Sequence, residues 1–291
     1  MTAGRFAPSP SGDLHVGNLR TAVLAWLHAR RTDRAFLVRI EDLDRVKPGA
    51  EQRQLADLAA LGLDWDGPVV RQSERARLYD AALASLAGRD LVYECFCTRR
   101  EILDAPSAPH EPPGIYRGTC RNLSDSERSA QAAVRPAALR LRSGISDFTV
   151  QDELHGQYEG VVDDFVLRRG DGVVAYNLAV VIDDSHQGVD QVVRGEDLLP
   201  SAPRQAYLAT LLGAEPPTYV HVPVAVNADG QRLAKRDGAV TYEQLQELGV
   251  DAMALIAESL GLAGSTMAEL LDEYDPASLP RDPWVFVPPT G

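Results

Sequence analysis

The residues best suited to chemistry near the start of the chain are His15, Gly17 and Asn18, within the stretch RFAPSPSGDLHVGNLRTAVLAWLHARR that runs from Arg5 to Arg31. Pro8, Pro10 and Gly12 keep the first part extended or turned, because proline fixes φ and disfavours helix in the residue before it. A helix is therefore expected from about Val16. Leu19, Ala22, Val23, Trp26 and Leu27 recur at helical spacing, so the N–H groups around His15, Gly17 and Asn18 should lie unpaired at a helix N-terminus. Such an end attracts phosphate, Gly17 admits a ligand close to the backbone, and His15 can donate a hydrogen bond. The second reactive group is sulfur. Cys95 and Cys97 flank one residue, and a proline-rich loop, Tyr116 and Cys120 follow. Three thiols are an odd number for disulfides, and two close cysteines, a loop and a third have the arrangement of a structural zinc site, which takes four ligands. By chemistry His110 is a candidate for the fourth, while three buried free cysteines are the alternative.

The elements that must position these groups read as α/β. Ala35 to Ile40 is a short apolar run fitting a buried parallel strand, which completes a βαβ unit. In open α/β sheets ligands lie beyond the carboxyl ends of the strands, which places Arg5, Phe6, Ala7, Pro8 and Ser9 beside one crevice with Glu41. Asp44 is expected to cap the next helix, and helical periods over 52–63 and 73–87 end at Gly62 and Gly88. Strands are expected over 91–96, 139–142, 148–151 and 161–167, with HGQYEG as a turn between the last two. Ser124 and Glu127 form a capping box that opens a helix to Ala133. A second half begins at Val173, with a strand at 189–193, a helix from Ser201 and a strand at 219–227. Helical patterns over 242–248, 253–262 and 267–274 precede a proline-rich tail. The expected organisation is a catalytic first half (1–90), an insertion (91–160), a second half (161–240) and a short helical C-terminal region (241–291).

With 291 residues and 45% hydrophobic content the chain can bury a sizeable core. Its net charge of −13, from 29 basic and 42 acidic residues, argues against broad salt-driven nucleic-acid binding. Any RNA contact should be local, with Arg140, Arg142, Arg168 and Arg169 as the candidate face. No basic-then-apolar leader opens the sequence, and the longest apolar run, Val173 to Ile182, is too short to span a bilayer, so a cytoplasmic protein is expected.

RFAPSPSGDLHVGN resembles the "HIGH" signature of class I aminoacyl-tRNA synthetases in the form that glutamyl and glutaminyl enzymes carry, with His15 as its first histidine and Asn18 replacing the second. RIEDLD is similar to the family's segment that holds the amino group of glutamate, a role falling on Glu41. The block from Val173 to Gly213 resembles the second glutamate-binding segment, which implies contacts from Tyr176 and Arg194. Arginine grips a planar carboxylate with two hydrogen bonds, so Arg5 and Arg194 suit the side chain of glutamate. By itself Arg194 could equally pair with Asp197. RLAKR, from Arg232, resembles a degenerate "KMSKS" loop in which Lys235 keeps the second lysine, a cation suited to charge on departing pyrophosphate.

The resemblance implies a class I synthetase Rossmann-like nucleotide-binding fold with a zinc-containing insertion. It implies catalysis by His15 and Lys235, ATP with Mg2+ at His15, Gly17, Asn18 and Lys235, and L-glutamate at Arg5 to Ser9, Glu41, Tyr176 and Arg194. A small subgroup with three cysteines and one tyrosine points to Cys95, Cys97, Tyr116 and Cys120 for one structural Zn2+. Only about fifty residues follow the RLAKR loop, where full-length glutamyl enzymes continue into a large anticodon-binding region. Together with Val180, where many of those enzymes have Asn, this favours the family's truncated branch. That branch activates glutamate and places it on queuosine in the anticodon of tRNA(Asp). The expected partner is then the anticodon stem-loop, met by a monomer. A shortened glutamyl-tRNA synthetase charging the 3′ end of tRNA(Glu), or a non-catalytic amino-acid-binding relative, are the alternatives.

Overall fold

The computed structural model describes residues 2–104, 115–233 and 240–288. The chain opens with β1 (Ala3–Phe6), α1 (Val16–Arg31), β2 (Ala35–Ile40), α2 (Ala50–Ala60), β3 (Val70–Arg71) and α3 (Ala76–Ala87). It continues through β4 (Val92–Cys95), α4 (Arg99–Leu103), α5 (Asp125–Ala132), β5 (Ala138–Leu141), β6 (Asp147–Asp152), β7 (Gly156–Val161) and β8 (Val166–Arg168). The second half holds α6 (Tyr176–Gln187), β9 (Val189–Gly195), α7 (Ala202–Leu211), β10 (Thr218–Val222) and β11 (Ala225–Val226). Helices α8 (Tyr242–Glu247), α9 (Ala252–Ser259) and α10 (Met267–Glu273) and strand β12 (Trp284–Val285) follow.

The main sheet runs β3-β2-β1-β9-β10-β6-β7, parallel except for the last pair. β1 lies between β2 and β9, so the direction of winding reverses there and a crevice opens beyond the carboxyl ends of β1 and β9. Helix α1 packs on this sheet and is covered on its other side by α9 and α10. Burial from both sides explains why Val16, Leu19, Val23, Leu24 and Leu27 are all inaccessible to solvent and share one core with Ile256 and Leu270. A small antiparallel sheet, β4-β5-β8, stands apart.

The start of α1 at Val16 and the limits of β2 agree with the sequence reading. Several expectations are corrected. Of HGQYEG only His155 belongs to the turn, and Gly156 onward is strand: β6 and β7 pair without interruption from Asp147–Val161 to Asp152–Gly156. The turn comes earlier because Asp152 Oδ1 accepts from the N–H groups of Leu154 and His155, and Gly156 takes a φ of +71°. The strand expected over 161–167 shrinks to Val166–Arg168. Asp44 caps nothing; α2 starts six residues later behind Gly49, and Asp44 pairs with Arg169 at 2.8 Å. Pro223 breaks the expected 219–227 strand into β10 and β11. The segment 91–160 is shared between sheets, since β6 and β7 extend the large one. Among the described residues no helix is long and apolar enough to cross a membrane.

Candidate active site

β1 delivers the chain into the turn that starts α1, and the turn is pinned from below. Gln54 Nε2 donates to the carbonyls of Ser9 (3.0 Å) and Gly12 (2.6 Å), and Glu41 N donates to the Pro8 carbonyl (2.9 Å), tying the ends of β1 and β2 together. His15 is the N-cap of α1. Its Nδ1 accepts from Asn18 N, and the Asn18 side chain accepts from His15 N, both at 3.3 Å. This is a capping box built from His and Asn, and it explains the Asn at position 18. An Nδ1 that accepts leaves the proton of a neutral imidazole on Nε2. The expectation of unpaired N–H groups is met only in part, because Val16 N also donates to Val240 O at 2.9 Å. That bond joins α1 to the chain just after the RLAKR loop. Gly17 is required by packing as well: a Cβ there would lie 2.9 Å from Ala225 Cβ and 3.1 Å from the His15 ring. Lys235 lies outside the described residues.

Near the ends of β1 and β2, buried arginines pair with buried carboxylates. Asp184 Oδ1 accepts from Arg39 Nη2 (2.6 Å) and Arg5 Nε (3.3 Å), while Asp183 accepts from Gln72, Arg75 and Tyr79. Burial would raise the Asp184 carboxyl, but Arg39 and Arg5 hold it below the ordinary range. Glu41, at the end of β2, behaves differently. Desolvation pushes its carboxyl up to about 7 against the pull of Arg39 and Arg5. Tyr176 is partly exposed, and its phenol lies in the field of Arg194, Glu41, Arg5 and Asp184.

Arg194, at the end of β9, is 5% exposed, and its hydrogen-bond partners among the described residues are all neutral. Nε donates to His221 Nε2 (3.0 Å), Nη1 to Gln205 Oε1 (2.8 Å) and Tyr176 OH (3.4 Å), and Nη2 to the Leu198 carbonyl (3.5 Å). The Tyr219 ring lies 5.3 Å from the guanidinium. Pairing with Asp197, the alternative reading, does not occur, since Asp197 is taken by Arg232. His221, Gln205 and Asp152 were not singled out by sequence; a histidine inside the apolar strand YVHV was the available signal.

In the small sheet the sulfurs of Cys95, Cys97 and Cys120 lie within 4.8 Å of one another. The Cys97–Cys120 separation is 3.6 Å, near the ~3.8 Å between thiolates in a tetrahedral zinc site. Tyr116 joins them: its hydroxyl is 3.3 Å from Cys95 Sγ and accepts from Cys120 N at 2.7 Å. The cluster could hold a metal ion. His110 lies outside the described residues. The proposed RNA-facing arginines are occupied. Arg140 is buried 3.7 Å from the Tyr116 ring centroid and donates to Asp164 O, and Arg142 donates to Arg121 O. Arg168 pairs with Asp80, and Arg169 with Asp44 and Asp171.

The family described as tRNA synthetases class I (E and Q), catalytic domain, matches residues 2–274. A protein of Nocardia farcinica named glutamyl-Q tRNA(Asp) synthetase is 64% identical over 288 residues, covering 98% of this chain and 93% of that protein. One of the same name from Cutibacterium acnes is 53% identical over 89% of this chain and 76% of its own length. Among solved structures, glutamate-tRNA synthetase of Elizabethkingia anophelis superposes with a TM-score of 0.82 at 27% identity, covering 99% of this chain and 68% of that one. The glutamate tRNA ligase of Elizabethkingia meningosepticum, in complex with its amino acid, gives 0.81 at 26%, over 99% and 67%. The chain thus belongs to the class I tRNA synthetases of the E and Q type, in the glutamyl-Q tRNA(Asp) synthetase family.

Proposed function

We propose that the protein activates L-glutamate with ATP, without need of tRNA, and transfers the glutamyl group to queuosine in the anticodon of tRNA(Asp). Arg194 carries this reading. A buried guanidinium whose hydrogen-bond partners are all neutral is costly, and a substrate carboxylate supplies the missing counter-charge. Tyr176 flanks that carboxylate. Ionised Glu41 takes the α-ammonium, and Arg5 with the Phe6–Ser9 backbone forms the wall. The α-carboxylate then attacks the α-phosphorus of ATP, giving glutamyl-adenylate and pyrophosphate. His15, with its proton on Nε2, donates to a phosphate oxygen beside Gly17 and Asn18, and Lys235 meets the charge on pyrophosphate. Mg2+ accompanies ATP. Zn2+ suits the ligand set Cys95, Cys97, Cys120 and Tyr116, where it would clamp β4 to the loop that follows; a phenolate becomes a ligand through the charge of the metal.

A base carrying a cis-diol imitates the terminal ribose diol that class I enzymes esterify, so the adenylate can be attacked there without new catalytic groups. The test is transfer of labelled glutamate to tRNA(Asp) containing queuosine. It should persist after the 3′-terminal CCA is trimmed and vanish when queuosine is absent. Transfer that is lost on trimming, or that prefers tRNA(Glu), would overturn the queuosine assignment in favour of a shortened glutamyl-tRNA synthetase.

A further inference from the structure

Behind Arg194 lies a chain of buried groups. His221 and Asp152 are both 0% exposed. Asp152 Oδ2 accepts from His221 Nδ1 at 2.7 Å and from His221 N at 3.0 Å, while its Oδ1 accepts from the N–H groups of Leu154 and His155. Burial would raise this carboxyl, but the bonds to His221 and to the backbone hold it below the ordinary range, so it is ionised and can only accept. Arg194 Nε can only donate, and it sits 3.0 Å from His221 Nε2. One state of the imidazole satisfies both neighbours: neutral, with the proton on Nδ1 and the lone pair on Nε2. A doubly protonated ring would turn a second N–H against that of Arg194.

We infer that His221, set in its Nδ1–H tautomer by Asp152, is the positioning residue that holds the Arg194 guanidinium for the substrate carboxylate. This rests on the proposed role of Arg194 and deepens it. His221 takes the Nε edge and Gln205 fixes Nη1, so the rotamer is held from behind. The long contacts to Tyr176 OH (3.4 Å) and Leu198 O (3.5 Å) are the ones a carboxylate would replace. Tyr219 stacks on the His221 ring at 5.6 Å, which restrains its plane. The charged and titratable groups around the ring are Asp152 from β6, His155 after it, Arg194 from β9 and Tyr219 of its own strand. Burial lowers the imidazole further from the charged state, against Asp152.

Two measurements test this on the full chain. The first needs no substrate: 15N spectra of histidine-labelled protein should show His221 protonated at Nδ1 and bare at Nε2 from pH 6 to 8. A ring protonated at Nε2 would overturn the inference whatever the enzyme does. The second is glutamate-dependent ATP–pyrophosphate exchange. His221→Leu removes the acceptor, and Asp152→Asn lets an amide donate to Nδ1 and so turns Nε2–H towards Arg194. Each should raise KM for glutamate on the order of 10- to 100-fold, as for a lost hydrogen bond to a charged group, with kcat and KM for ATP little changed. His221→Gln, whose Oε1 can stand near the Nε2 position, should restore a KM close to wild type. Equal damage from Gln and Leu, or a parallel rise in KM for ATP, would show a merely structural role. Wild-type protein without exchange would instead overturn the proposed function, while the tautomer measurement still stands as read.

Discussion

Glu41 offers the sharpest check on the assigned glutamate site, because its protonation falls inside the working pH range. In the free protein its carboxyl titrates at about 7, raised by desolvation and opposed by Arg39 and Arg5. Only the ionised form can take the substrate ammonium. From pH 8 to pH 6 the ionised fraction falls from roughly 0.9 to roughly 0.1, so KM for glutamate should rise roughly tenfold, the competent fraction scaling the affinity directly. Once bound, the ammonium favours ionised Glu41, so kcat at saturating glutamate should change far less. The sign for stability is the opposite. A carboxyl whose folded value is raised contributes fully below its unfolded value, near 4.5, and loses that contribution as pH rises through 7. Without substrate, the melting temperature should therefore decline towards pH 8, and glutamate should restore part of it. The assay is ATP–pyrophosphate exchange at several pH values, with Glu41→Gln alongside. The variant should bind glutamate weakly with no slope between pH 6 and 8. A flat KM in wild type, or the same slope in both proteins, would refute the assignment of Glu41 to the amino group.

Arg194→Ala should cost about 2–5 kcal/mol in discrimination of glutamate over glutamine, read as the ratio of kcat/KM values, because a carboxylate would be buried unpaired; retained preference would move the carboxylate elsewhere. Elemental analysis of protein purified without chelator should give about one zinc per chain, and Tyr116→Phe should lower its affinity; unchanged retention in the variant would shift the fourth ligand towards His110. Gly17→Ala should lower the melting temperature and raise KM for ATP. Alanine normally favours a helix by about 1 kcal/mol, but here its Cβ would meet Ala225 Cβ at 2.9 Å and crowd the His15 ring.

What the sequence revealed was mostly local. Pro8, Pro10 and the apolar period from Leu19 are enough to start α1 at Val16, and the run AFLVRI is enough for β2. Ser124 was legible as a cap because the Ser-x-x-Glu pattern carries its own chemistry, and the structure has that box. The His15–Asn18 box escaped because neither residue belongs to the usual pattern, although the geometry is the same. The β6–β7 turn was misplaced because Asp152 does the turning, through two backbone bonds that HGQYEG does not display. The groups around Arg194 were illegible for another reason. Asp152 and His221 are 69 residues apart, and only the parallel pairing of β10 with both β6 and β9 brings them behind one arginine. The burial of Arg140 was illegible on similar grounds, since the ring it packs on belongs to Tyr116, 24 residues earlier in the chain.

The charge balance of the crevice then bears on how an acidic protein handles acidic substrates. The chain carries a net −13, yet both glutamate and ATP are anions. At the carboxyl ends of the strands, acidic groups of the wall are met by arginines. Arg5, Arg39, Arg75 and Arg194 converge there against Asp183, Asp184 and a Glu41 that is only partly ionised near pH 7. Asp183 and Asp184 are committed to arginines inside the wall, which fixes Arg5, Arg39 and Arg75 in place. Arg194 is fixed instead by neutral groups, and among the described residues no carboxylate forms an ion pair with it. On the proposed assignment, a substrate carboxylate at this point would gain both the arginine and, once its ammonium met Glu41, full ionisation of the opposing acid. Glutamine, of the same length, would gain only the second. Under the proposed role of Arg194, selectivity for glutamate would reside in which arginine of the site is given a carboxylate partner by the fold and which is not.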